Sequence, residues 1–454
     1  MTMKYPTLGL AIVGLGASLA PLDIAVNVAL PAITRYFQLA LGDVQWLVVC
    51  YVLVYGSLML VCGKLGDLFG HRLIFRIGLV ISVFGCAACA LASDWTLFLW
   101  ARAGQGVGTA LALSCTPALA TSLYPESARV RALAGFGMAM SLAAAIGPFL
   151  GGVLVELWDW PAVYWVRVPI ALLALAMSGL LPSPKPDVRP FDALGGVLLA
   201  ACMSLLLLSL VLSQRAEVAG SWAAALFAIA LVLLFAYVRR ASRVPEPIIR
   251  PGLFADRAFT IPNLLYVLAN LAGFAILLLT PYFLANVLKL SAFMTGLVLA
   301  LAFAGSLSGA PLSAFFVRRI GQRPTVFVGV TLVGLGLLPL AFTTAATPVV
   351  WLAALLIVEG VGQGLLSVAY TDMVTATLAV RDRGVAGSLA LLARTLGIVS
   401  GASVLTALHA HGAAGLPGLD GFLAGYRYAF MASGGGLLAA LALSAVVPRV
   451  WFRA

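Results

Sequence analysis

Gly63-Lys64-Leu65-Gly66-Asp67-Leu68-Phe69-Gly70-His71-Arg72 stands between two long apolar stretches, Val44 to Cys62 and Leu73 to Leu91. In the same relative place of the second half, Pro311-Leu312-Ser313-Ala314-Phe315-Phe316-Val317-Arg318-Arg319-Ile320-Gly321-Gln322-Arg323 closes one apolar stretch before another begins at Val326. Each is a short, basic connection turned by glycine. A second echo reinforces the first: Arg102-Ala103-Gly104-Gln105-Gly106-Val107-Gly108 lies inside one apolar stretch, and Glu359-Gly360-Val361-Gly362-Gln363-Gly364 lies inside its counterpart. Internal repetition of this kind in an apolar chain is the plan of transporters built from two parallel halves, with a site near the bilayer midplane.

Composition supports the membrane reading. Of 454 residues, 63% are apolar and 9% charged, against roughly 45–50% and 25% in an average soluble domain. A soluble enzyme, a nucleic-acid binder and a disordered chain are excluded. The net charge of +11 does not imply a nucleic-acid partner, because the basic residues sit in short runs between apolar stretches and form no patch. At roughly 20 residues per span, the apolar windows number about 14, from Leu8–Leu30 to Phe430–Val447. The expected fold is an all-α integral membrane protein with 14 transmembrane helices. It divides into an N-terminal six-helix bundle (residues 1–190), a two-helix insert (191–240) reached through Pro182-Ser183-Pro184-Lys185-Pro186, and a C-terminal six-helix bundle (241–454), the two bundles being pseudo-symmetric.

Placing the N-terminus in the cytoplasm puts all but seven of the 27 Lys and Arg inside. Arg35, Arg215, Lys289 and Arg427 fall outside, and Arg102, Arg167 and Arg394 fall within spans. The imbalance obeys the positive-inside rule, so both termini are expected to be cytoplasmic. The first 20 residues imitate a secretory signal, but Asp23 follows at once and the stretch is expected to continue as one long span. The Cys86/Cys89 pair sits in an apolar helix, where small-residue packing outweighs a redox or zinc reading. His409 and His411 stand two apart, on different helix faces, so no metal site is expected. The glycine triplets follow no strand and lack the P-loop Lys-Ser/Thr pair, so nucleotide binding is excluded. No cofactor and no ATPase subunit is implied, and energy must come from an ion gradient or from the cargo's own.

These motifs resemble the major facilitator superfamily, and in particular its 14-span drug:proton antiporter family. Leu22-Asp23-Ile24-Ala25-Val26-Asn27-Val28-Ala29-Leu30-Pro31 is similar to that family's first-span motif, with Ala25 where threonine is usual. Gly63, Asp67, Gly70 and Arg72 match the superfamily's cytoplasmic loop signature, while Leu68 and His71 replace customary basic residues. Arg102, Gln105, Gly106 and Gly108 match R-x-x-Q-G-x-G. Gly147, Pro148, Gly151 and Gly152 match the antiporter motif G-x-x-x-G-P-x-x-G-G, with Ala143 as its one departure. Trp160-Pro161-Ala162-Val163-Tyr164-Trp165-Val166-Arg167-Val168-Pro169 resembles a sixth-span motif in which asparagine is usual where Arg167 stands. Proton-coupled peptide importers of the superfamily carry E-x-x-E-[RK] in the first span, and nothing like it precedes Asp23.

An unpaired ionised carboxylate in the bilayer costs roughly 2.5–3.5 kcal/mol even on the lenient insertion scale, so Asp23 must be paired or protonated. Burial raises a carboxylate's pKa and a nearby guanidinium lowers it. A cycle that wets and dries Asp23, or moves Arg102 to and from it, would load and release a proton, whereas a purely structural Asp23–Arg102 bridge would never titrate. Asn27, four residues on, shares a helix face with Asp23 and is a partner for it or for cargo. Gln105, Glu359 and Arg394 are further cavity candidates. Glu359 reads either as a second proton or cation site or as an outer-end residue reaching water, and Arg394 as a pairing or a contact residue. Gly63, Asp67, Gly70 and Arg72 form the expected cytoplasmic gate, and Gly147, Pro148, Gly151 and Gly152 a hinge or seal.

The expected function is secondary active export of amphiphilic or lipophilic drugs, cationic ones among them, from the cytoplasm across the inner membrane in exchange for protons. Alternatives are export of a specific metabolite or lipid-like molecule, gradient-independent uniport, and, from another class, a non-transporting sensor or scaffold. Arg167 keeps anionic and zwitterionic cargo open.

Overall fold

The structure, a computed structural model, describes residues 6–124, 129–182, 192–212, 220–244, 251–377, 383–446 and 448–451. Among these there is no strand. The helices are α1 (Pro6–Ala17), α2 (Ala25–Tyr36), α3 (Leu41–Phe69), α4 (His71–Leu91), α5 (Trp95–Ser122), α6 (Arg129–Trp158), α7 (Ala162–Trp165), α8 (Arg167–Met177), α9 (Ala193–Leu212) and α10 (Gly220–Ala241). They continue with α11 (Arg257–Tyr282), α12 (Ala292–Ile320), α13 (Gln322–Leu337), α14 (Val349–Thr377), α15 (Arg383–Ala413), α16 (Gly418–Phe430), α17 (Gly436–Ala445) and α18 (Pro448–Trp451). An all-helical build follows from the solvent: with no water in the hydrocarbon to satisfy backbone polar groups, a spanning segment must bond to itself.

Among the described residues, eleven helices are long and apolar enough to cross a membrane. Leu142–Trp158 and Leu194–Leu206 are apolar helices shorter than a span, and α5, helical over 28 residues, carries Arg102. The structure therefore accounts for eleven of the fourteen expected spans on length and composition.

The chain packs into two units. The first comprises the described residues of 1–39, 46–206 and 228–248, the second those of 40–45, 207–227 and 249–454. The helices of the expected insert are thus shared: the parts of α9 up to Leu206 and of α10 from Ala228 pack with the first unit. Asp192 joins the ends of these two helices. Its Oδ1 accepts from the Gly195 amide at 2.8 Å, capping α9, and from Arg240 Nε at the last turn of α10 at 2.6 Å.

In the first unit α4 runs along α5, and α1 and α8 close the other side. Ile12, Phe75, Leu79, Ala110, Leu119, Ala171 and Ala174 form the common core. In the second unit α13 runs along α14, the counterpart pair, while α12 packs on α14 and α11 on α15. Small residues make these approaches possible, as expected where dispersion packing, not water exclusion, holds helices together. A Cβ on Gly106 would stand 2.8 Å from the Tyr51 carbonyl oxygen, and one on Gly362 2.6 Å from the Val333 amide nitrogen. Apart from Gly104, where nothing lies within 4 Å, the glycines of both triplets are mid-helix packing positions.

The repeated connections also correspond. α3 ends at Phe69 and α4 begins at His71 across Gly70 (φ 95°), while α12 and α13 join across Gly321 (φ 90°). A positive φ of this size favours glycine, which explains why that residue type recurs in both halves. The expected gate loop is correspondingly short: Gly63 lies within α3, and Arg72 in the first turn of α4 donates to the Leu181 carbonyl at 3.0 Å.

The first span runs as one long stretch, Pro6–Tyr36, as expected, but it contains a break. α1 stops at Ala17, residues 18–20 form a turn, Pro21–Ile24 make one turn of 3₁₀ helix, and α2 restarts at Ala25. Pro21 lacks an amide proton and cannot continue the hydrogen-bond ladder of the helix before it.

Candidate functional site

Asp23 sits in that break. The 3₁₀ turn directs its carboxylate toward α5, where Arg102 meets it side-on: Nη1 donates to Oδ1 at 2.8 Å and Nη2 to Oδ2 at 2.9 Å. Paired donors of this kind fit the fixed fork of a guanidinium to the two oxygens of a carboxylate. Arg102 is further held by its Nε, which donates to the Leu47 carbonyl at 3.2 Å, and by a 2.8 Å bond from Nη1 to Gln105 Oε1. Gln105 turns its amide nitrogen back to Asp23 Oδ1 at 3.3 Å. The R-x-x-Q spacing is therefore one helical turn that presents both side chains to the same acid.

A second guanidinium completes the site. Arg167, at the start of α8, donates from Nη1 to Asp23 Oδ1 and from Nε to the Val163 carbonyl at 3.0 Å. The sequence places Arg167 near the outer end of a span as an added cation. In the fold it is the third member of the Asp23 cluster. Arg102 and Arg167 are 1% and 0% exposed, and the Asp23 side chain 11%.

Aromatic faces cover the cations. The Arg102 guanidinium lies 4.4 Å from the Tyr51 ring centre and Arg167 4.8 Å from that of Tyr164. Such contacts strengthen when water is excluded. Tyr164 in turn packs edge-on to Phe98 at 5.6 Å, within a group that includes Trp160, Phe37 and Trp95. Tyr51 is marked as part of the site only by a guanidinium two helices away, whereas Tyr164 stands three residues before Arg167.

Asn27 does not join the cluster. The change from 3₁₀ turn to α-helix alters the four-residue spacing, and its amide donates to the Ile24 carbonyl at 3.1 Å. The antiporter motif does approach it: Gly147, Pro148, Gly151 and Gly152 are buried in α6. A Cβ on Gly151 would lie 2.7 Å from the Ala25 carbonyl oxygen, two residues past Asp23. Pro148 interrupts the ladder of α6 at the same level. The side chain of Asp67 lies outside the described residues.

In the second unit the segment that echoes Arg102–Gly108 is built differently. Glu359, 5% exposed on α14, is buried and does not reach water in this structure. Its backbone and Cβ face Gly336 of α13, and its carboxylate lies beside Gly273 of α11 and Gln363 one turn along its own helix. Among the described residues it has no cationic partner. Arg394 on α15 is exposed and lies in neither constellation. Also buried in this unit, Tyr370 donates to Asn263 Oδ1 at 2.5 Å and stacks on Tyr266 at 3.8 Å. Among the described residues no group of His, Cys, Asp and Glu gathers as metal ligands.

The sequence pattern of the Major Facilitator Superfamily matches residues 7–402 and, in a second alignment, 263–453. The chain belongs to that superfamily. Related facilitators include the riboflavin transporter RibZ of Clostridioides difficile, 25% identical over 90% of this chain and 89% of that protein. The methylenomycin A resistance protein of Bacillus subtilis is 30% identical over 87% of this chain and 86% of its own. The multidrug resistance protein Stp of Mycobacterium tuberculosis is 29% identical over 86% and 74%. Among solved structures, the facilitator fold of a bacterial homologue of the lysosomal transporter Spinster aligns over 99% of this chain and 98% of its own, with a TM-score of 0.71 and 17% identity. As a facilitator the chain is a multi-pass membrane transporter of small molecules, not an enzyme. Its relatives include several drug-resistance transporters and a riboflavin transporter.

Proposed function

We propose that this facilitator is a proton-coupled antiporter of the inner membrane, with 14 spans and both termini cytoplasmic, that exports amphiphilic compounds by alternating access. The supporting observation is the place of the acid: Asp23, held bidentately by Arg102 of α5, stands in a broken helix, against the glycines of the antiporter motif. Discontinuous helices are where secondary transporters build their sites, and a break that must already bond to side chains can change shape with fewer backbone bonds to lose.

The chemistry of coupling follows. While both guanidiniums hold Asp23 it stays ionised, because each opposite charge favours the charged form. Protonation requires the cations to withdraw, so the proton enters in one shape of the first unit and leaves in the other. Tyr51, Tyr164, Cys50, Cys86 and Cys89 are, among the described residues, the other titratable groups in electrostatic reach of the cluster. The Asp23 switch is the proton carrier, Arg102 its regulator, Gln105 the hydrogen-bonding link between them, and Gly63, Asp67, Gly70 and Arg72 the cytoplasmic gate. The motif glycines allow α6 to slide on α2.

A second reading rests on Glu359. A buried carboxylate with an amide neighbour and no cation is stable when it carries a proton, so the coupling proton would ride on α14 while Asp23 stays a fixed structural ion. Proteoliposomes acidified inside separate the readings. Uptake of a drug such as ethidium that needs the pH gradient and disappears in Asp23→Asn supports the first. Loss of gradient dependence in Glu359→Gln alone supports the second, and equal flux without a gradient identifies a uniporter.

A further inference from the structure

We propose that Arg167 is a subsite for an anionic group of the cargo, a carboxylate or its equivalent, so that this transporter takes amphiphilic anions or zwitterions. The inference rests on the exporter reading only in naming what is carried. Two guanidiniums face one carboxylate, and among the described residues no second acid pairs with either. The cluster therefore holds one positive charge in surplus within a buried site. A buried charge without a counter-charge is costly, and an entering anion would remove that cost.

The surplus belongs to Arg167. Asp23 uses both carboxylate oxygens on Arg102, so that pair is complete by itself. Arg167 has only one nitrogen on the acid, and its Nη2 is buried with no hydrogen-bond partner. The hydroxyl of Tyr164, whose ring lies 4.8 Å from the same guanidinium, is likewise buried and unpartnered. Unsatisfied buried donors of this kind are rare in folded proteins. Here two stand at one cluster, on residues that a structural role for Arg167 would leave satisfied. The exposed edge of the cluster is the Asp23 carboxylate. An incoming carboxylate that takes Nη1 and Nη2 of Arg167 side-on displaces Asp23 Oδ1 from Nη1, and leaves Asp23 bidentate on Arg102. The exchange brings the cluster to zero net charge, and no covalent bond changes.

The test compares three probes with one apolar body: pyrenebutyrate, its methyl ester and pyrenebutyl-trimethylammonium, each titrated by fluorescence into the full-length protein in nanodiscs. A charge-assisted pair predicts that the anion binds about tenfold or more tighter than the ester. Arg167→Asn, which places at this position the residue usual in the sixth-span motif and leaves the Asp23–Arg102 pair one to one, is expected to bring that ratio to about one. Arg167→Lys, which keeps the charge but not the fork, should be intermediate, and Asp23→Asn should raise the ratio by freeing Arg167, a direction that a merely structural arginine does not produce. A wild-type ratio near one, or a ratio unchanged by Arg167→Asn, overturns the inference. Gradient-driven uptake of the same probes is scored separately. No uptake with the expected binding ratios removes the exporter reading and leaves the anion site standing, while uptake with a ratio of one does the reverse.

Discussion

The two units each hold an acid within their packed helices, Asp23 in the first and Glu359 in the second, and treat it in opposite ways. In the first, Asp23 is gripped by two guanidiniums, an amide and the dipoles of a broken helix. In the second, Glu359 has glycines on two sides and Gln363 on a third. A carboxylate with surplus cations is stable only when ionised, and one without any is stable only when neutral. The two acids thus stand in opposite electrostatic settings, with two cations around Asp23 and, among the described residues, none beside Glu359.

The comparison is broken most severely at the ion pair. Asp23→Asn leaves two buried guanidiniums without a counter-charge, which is expected to cost about 3–5 kcal/mol, read as a drop in thermal unfolding temperature in detergent, and to abolish gradient-driven uptake. Arg102→Met should match it in stability, because it also strands the Leu47 carbonyl and the Gln105 amide. If either variant transports normally, the pair has no part in coupling.

Gly151→Ala comes next. Its new methyl would meet the Ala25 carbonyl at 2.7 Å and the Ala25 Cα at 2.9 Å. Overpacking of this kind costs about 1–3 kcal/mol, and here it also holds α6 away from the helix break. Uptake should fall about tenfold, with binding of a fluorescent drug less affected. The same methyl at Gly104, where nothing lies within 4 Å, should leave both unchanged.

Glu359→Gln sharpens the contrast, since it replaces an acid that has no cationic partner among the described residues by a neutral isostere. Stability should change by less than about 1 kcal/mol, against the several expected at Asp23, and under the second reading the pH dependence of uptake flattens. A loss as large as that of Asp23→Asn would mean that Glu359 is ionised and paired. Asn27→Ala is the smallest: one bond to the Ile24 carbonyl is lost, worth about 1 kcal/mol or less, with no change in gradient dependence.

Much of this was legible without coordinates. The membrane fold follows from apolar length alone, and the repeat follows from paired glycines and cations at equal places. One helix turn joins Arg102 to Gln105, but Asp23 lies 79 residues from Arg102, and that pair was legible only from the motif resemblance and from the rule that a buried acid must find a cation. Arg167 was visible as a departure from a motif, but its partner lies 144 residues away and no periodicity connects them. For Asn27 a helical spacing runs across a turn that is not α-helical, so its amide reaches the Ile24 carbonyl and not Asp23. The water-reaching alternative for Glu359 fell because burial depends on α11 and α13, which lie far off along the chain.

Sequence alone determined that this protein lives in a membrane, is built of helices, repeats itself, and carries an acid that must be neutralised. Those properties are sums over neighbouring residues, and the transfer cost of each side chain is the same wherever its helix packs. Tertiary structure decided which charges neutralise which: it set two arginines on Asp23 and none on Glu359. The energy of an ion pair depends on distance and on the water excluded around it, and both are properties of the packed helices.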